Sequence, residues 1–147
     1  MADVTTTRQD VPLQQQAADR RPQPSDLAPV LALLQGAFFA VTGIWPLISP
    51  GTFQKVTGPK VDFWLVKTVG ILIAVIGSAL MLDGGKRRVT SSTRLLAVGS
   101  SLGLAAIDVY YAGVRRISPV YLLDAVAELA LAGAWIVTGR GQNSERG

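Results

Sequence analysis

The chain has 147 residues, a formal net charge of +4, 49% hydrophobic residues and a mean hydropathy of +0.36, with neither cysteine nor histidine. This excludes disulfides, thiol nucleophiles, imidazole acid–base chemistry, haem ligation by His or Cys, and typical zinc sites. Any catalysis would have to use carboxylates, lysine, tyrosine or serine. The composition is too apolar for an ordinary soluble domain. The basic residues cluster at the ends of apolar runs, which is the pattern of membrane topology and not of a nucleic-acid-binding face.

Residues 1–24 are polar and end in Pro22 and Pro24. They cannot build a core and are expected to form a disordered tail. Asp3, Asp10 and Asp19, with no apolar core segment among them, argue against a signal peptide. Ser25 or Asp26 can cap a first helix over about 27–48, with Pro29 tolerated in its opening turn and Pro46 kinking or ending it. About 20 apolar residues suffice to cross a bilayer, and this run has them. The segment GTFQKVTGPKV reads as a connector at headgroup level. Asp62 caps a second span over about 62–82, which Asp83-Gly84-Gly85 ends. A third span covers about 94–114, and Ser118-Pro119 starts a fourth over about 119–138. Residues 140–147 form a polar C-terminal tail. The expected architecture is all-α: a four-span antiparallel bundle occupying 25–139.

Orientation follows from the basic residues. Arg8, Arg20, Arg21, Lys86, Arg87, Arg88, Arg94, Arg140 and Arg146 fall on one side, against Lys55, Lys60, Arg115 and Arg116 on the other. The more basic side faces the cytoplasm, so both termini are expected inside. Trp45, Phe53, Phe63, Trp64, Tyr110, Tyr111 and Tyr121 collect near the outer end, with Trp135 alone near the inner one.

The informative residues are charges inside the apolar runs, because each costs roughly 2.5–3.5 kcal/mol at the centre of a span on insertion scales. Counting 1.5 Å per residue, Lys67, Asp108 and Asp124 lie within roughly 6–9 Å of the same outer surface. Glu128 is one turn deeper, with Gln35 of the first span at a similar level. Lys67 shares a stripe with Gly70, Ala74, Ser78 and Met81, and Asp108 one with Ala105, Ser101 and Ala97. Small residues mark helix contacts in membranes, so both are expected to point inward. Gly99 and Gly103 form a GxxxG spacing suited to close packing. Asp124 and Glu128, at i and i+4, share one side of their helix. Lys67 is expected to pair with Asp108 or Asp124. Glu128, the deepest acid in a site with one lysine against three carboxyls, is expected to hold a proton and hydrogen-bond Gln35 or Asp124.

Two readings of this cluster stay open. It is either a structural pin that fixes helix register or part of a small-ligand site built from Lys67, Asp108, Asp124, Glu128, Gln35 and Tyr111. A third possibility concerns Lys67 alone, whose stem is long enough to snorkel to the outer headgroups. Tyr110, Tyr111, Trp64 and Tyr121 fit an interfacial belt or the rim of a pocket mouth. No phosphate-binding loop is present, since Gly85-Lys86 lacks the required flanking residues, and there is no GxSxG, HExxH or dinucleotide fingerprint.

The stretches FQKVTGPKVDFWLVKTVGILIAVIG and AAIDVYYAGVRRISPVYLLDAVAELALAGAW give the chain an outline that resembles the small four-helix bacterial membrane proteins of the DoxX-like kind. The resemblance covers about 27–137 and implies a compact bundle in a bacterial cytoplasmic membrane, with no established chemistry. The functional expectation is a non-enzymatic, multi-pass protein without cofactor, nucleic acid or metal. Its partners would be membrane lipids and a small apolar or amphiphilic ligand, and a homo-oligomer or an accessory role in a membrane complex is compatible. An embedded pocket with acid–base activity, or a proton or small-solute pathway, are the alternatives.

Overall fold

The computed structural model describes residues 24–144, with side chains placed for 27–139. The expected tail over 1–23 and the last residues, 145–147, lie outside that range. The described residues form five helices joined by short turns, with no strand among them: α1 (Pro24–Ile48), α2 (Pro50–Thr57), α3 (Phe63–Gly85), α4 (Ser91–Gly113) and α5 (Tyr121–Ser144). Four segments, Leu27–Ile48, Phe63–Gly85, Ser91–Gly113 and Tyr121–Gly139, are long and apolar enough to cross a membrane. The surface agrees with that setting. Leu34, Val41, Leu123, Val126 and Val137 are each more than 60% exposed, an apolar exterior that water would not tolerate.

Several boundaries depart from the sequence expectation for local reasons. The connector after the first span contains α2, which starts with Ser49 at its N-cap and Pro50 in its first turn. The Thr52 hydroxyl donates to Ser49 Oγ at 2.8 Å, and Trp45 Nε1 donates to Thr52 Oγ1 at 2.9 Å, folding α2 back against the end of α1. α4 begins earlier than expected because Thr90 and Thr93 form a reciprocal capping box. Thr93 also donates to Asp83 Oδ2 at 2.5 Å, tying the end of α3 to the start of α4. α5 starts at Tyr121, after a turn in which Tyr121 N–H donates to Ser118 O, and its backbone stays helical to Ser144.

The closest packing joins α1 to α3. Glycines seven residues apart on each helix meet in pairs, Gly36 with Gly77 and Gly43 with Gly70, while the Pro29 carbonyl rests on Gly84. A Cβ on Gly36 would sit 2.6 Å from Gly77 O, and one on Gly43 would sit 2.5 Å from Gly70 O. No side chain larger than hydrogen fits at these crossings. α4 packs on α5, and α1 also touches α5, whereas α3 and α4 hardly meet. The order around the bundle is therefore α3–α1–α5–α4, with a seam left between the first and last. At one end Ala28, Ala32, Leu80, Ala97 and Trp135 form a solid core. The other end, beside α2, is not filled.

Gly99 and Gly103 do not pack as the sequence suggested. Both are exposed, with nothing within 4 Å of an added Cβ. α4 instead buries Thr93, Ala97, Ser101, Ala105 and Asp108. Substitution to alanine separates the two kinds of glycine. Gly77→Ala should lose about 1–3 kcal/mol through overpacking. Gly103→Ala should be neutral or gain up to roughly 1 kcal/mol from helix propensity. Reversible unfolding in mixed micelles measures both, and an equal response at the two positions would contradict the assigned crossings.

Candidate functional site

The unfilled end of the bundle is a cavity of about 700 Å³. That lies within the range of small-molecule sites. Val66, Val69 and Ile73 of α3 and Leu104 and Ile107 of α4 face each other across it. They also flank the seam where those two helices fail to pack. α1 contributes Thr42, Trp45 and Pro46, and Phe53, Val56 and Thr57 of α2 cover the end. Into this mostly apolar space project three acids: Asp108 from α4, and Asp124 and Glu128 from α5.

Helical periodicity brings the acids together. Asp108 continues the buried stripe of α4, and Asp124 and Glu128 are one turn apart on the α5 face that also buries Ala125, Ala132 and Trp135. The Asp108 and Asp124 carboxyls are adjacent, and Ser101 is the hydrogen-bonding neighbour of Glu128. Asp108 is 7% exposed and Glu128 1%. Yet Asp108 Oδ2 and Glu128 Oε2 have no hydrogen-bond partner in the protein. Buried polar atoms left in this state are costly and uncommon.

Lys67 does not supply the missing partner. It is exposed on the outside of α3, with its ammonium 5.7 Å from the centre of the Phe63 ring and no ion pair to an acid. The expected pairing with Asp108 or Asp124 fails for a geometric reason. At 100° per residue, Lys67 lies about 160° around α3 from Val69 and about 120° from Ile73, which line the cavity. Sharing a spacing of three with Gly70 put it on one flank of the α1 contact, and the cavity is on the other.

Gln35 also plays a different part from the one expected. It does not line the cavity and is fully buried beneath it. Its Nε2 donates to Ala97 O and to Ser101 Oγ, both at 2.9 Å, and its Oε1 accepts from Trp135 Nε1 at 2.6 Å. One amide thereby joins α1, α4 and α5. Trp135, which the sequence placed near the inner end of its span, is 2% exposed and belongs to the core, with the Arg94 guanidinium 5.8 Å from its ring centre. The structural pin exists, and it is made of Gln35 and Trp135 instead of opposite charges. Glu128 meets it through Ser101, which takes the place of the expected bond to Gln35 or Asp124.

Tyr111 lines the cavity as expected, in edge-to-face contact with Tyr110. Sequence reasoning missed Lys60, which had been placed among the headgroups. Its ammonium donates to Thr57 O at 3.0 Å and lies 4.8 Å from the centre of the Tyr121 ring, a cation–π contact at the cavity's α2 end. Two lysines in one short segment gave no reason to single it out. No protein family, characterised protein or solved structure matches this chain.

Two substitutions distinguish the pin from the bystander. Gln35→Leu strands the Trp135 N–H in the core and should cost about 1–3 kcal/mol of stability. Lys67→Met should change stability by less than about 0.5 kcal/mol, as expected for a surface position. Unfolding in the same micelles reads both, and the reverse ranking would show that Lys67 is the structural element.

Proposed function

We propose that the protein is a non-enzymatic, multi-pass membrane protein that holds a small amphiphilic molecule in the cavity between α3, α4 and α5. The single observation that carries this reading is a pair of buried, unpartnered carboxyl oxygens, Asp108 Oδ2 and Glu128 Oε2, on residues that line a 700 Å³ apolar space. A structural pin would satisfy its own polar atoms, as the Gln35–Trp135 contact does. One oxygen each of Asp108 and Glu128 is left for something else to satisfy.

The apolar walls suit the body of a lipid-like molecule, and the α3–α4 seam offers a route to it from the membrane. α2, with the Lys60–Tyr121 contact, covers the remaining end. In this reading the four spans form an antiparallel bundle with both termini on the basic, cytoplasmic side and the cavity in the outer half. A through-going proton pathway is less well supported. Below Glu128 the polar groups are Ser101 and Gln35, and beneath them lies the apolar core of Ala28, Ala32, Leu80 and Ala97.

Leu104→Trp fills the cavity from α4 and leaves all three acids and both pin residues in place. Native mass spectrometry of the full chain released from mild detergent should find a bound small molecule on the wild type and none on Leu104→Trp. Identical spectra from the two folded proteins would contradict the pocket.

A further inference from the structure

We infer that the occupant is an organic monocation, an aliphatic ammonium with an apolar body, and that Asp108, Asp124 and Glu128 form its headgroup site. The inference rests on the pocket reading above and adds the chemical class of ligand. Three carboxyls border one low-polarity space, and Lys60 is the one basic residue among its lining. Lys60 is already committed, to the Thr57 carbonyl and the Tyr121 ring at the α2 end. An anionic headgroup would meet like charge in a poor dielectric, where the repulsion is barely screened. A neutral alcohol offers a single donor. A primary ammonium offers three N–H donors and a full positive charge, matching the adjacent Asp108 and Asp124 carboxyls, with Glu128 one helical turn deeper adding to the negative field.

An inorganic ion fits less well. Among the described residues no three acidic side chains come close enough together to hold a metal. Glu128 lies a helical turn from Asp124, and the space in front of the acids is bounded by Val66, Val69, Ile73, Leu104 and Ile107. Such walls favour a ligand that carries its own hydrocarbon. Lipid-soluble amines could reach the acids through the α3–α4 seam without crossing the α2 cover.

Three probes of equal length decide the matter: decylamine, decanol and decanoic acid. Each is titrated into the full chain carrying Trp64→Phe, in phosphatidylcholine nanodiscs, with the fluorescence change of the cavity residue Trp45, over the constant signal of the core residue Trp135, as the readout. Leu104→Trp in the same background is the filled-cavity control, scored by thermal shift because its new indole adds to the signal. Decylamine should bind about tenfold or more tighter than decanol, as a charge-assisted hydrogen bond implies, and decanoate should not bind. Asp124→Asn and Glu128→Gln should each remove that preference for the amine and leave the affinity for decanol unchanged. Asp124→Asn, at a half-buried position, keeps the test open if Glu128→Gln fails to fold. Decanol binding as tightly as decylamine would overturn the assigned ligand class while leaving the pocket standing. Failure of all three probes, with Leu104→Trp behaving like the wild type, would overturn the pocket itself.

Discussion

A carboxyl oxygen removed from water and given no donor is costly in any protein, and a bilayer supplies no water to relieve it. The end of this fold beside α2 is arranged around two such oxygens, on Asp108 and Glu128, with Asp124 beside them. The arrangement persists because the rest of the bundle is stabilised independently of it. Glycine crossings hold α1 to α3, the Gln35 amide joins α1 to α4 and α5, and a capping box with the Asp83–Thr93 bond fixes the turn between α3 and α4. None of these contacts needs the acids. The fold does not depend on these acids, and in the proposed reading the donors of a ligand meet the cost of the two unpartnered oxygens.

The same division explains the shape. At one end small side chains, Ala28, Ala32 and Ala97, let the helices close around Trp135 and Leu80. At the other end α1 stays pressed against α3 through Gly43 and Gly70, while α4 does not follow α3. The cavity and its seam are what remains when two tightly packed contacts, α1–α3 and α4–α5, meet mainly along one line.

Much of this was legible in the sequence. Four apolar runs of spanning length, the stripe of Ala97, Ser101, Ala105 and Asp108, and the i, i+4 pair Asp124 and Glu128 all followed from periodicity alone. Periodicity failed where two faces lie within one helical turn of each other. Lys67 and Val69 are two residues apart, and depth without azimuth could not tell the lipid side from the cavity side. The glycines were ambiguous for a similar reason. Gly99 and Gly103 have the familiar spacing of four but face outward, while the contact uses Gly36, Gly43, Gly70, Gly77 and Gly84 at a spacing of seven. Gln35 and Trp135 lie 100 residues apart, and no local pattern signals such a pair.

The three acids converge in a space from which the body of α3 excludes Lys67. Oxidative cross-linking tests it most directly, since the chain has no cysteine of its own to confuse the result. In membranes, the double variant Asp108→Cys/Asp124→Cys should cross-link readily, and Lys67→Cys/Asp124→Cys should not. Efficient cross-linking of the second pair, with none in the first, would contradict the account.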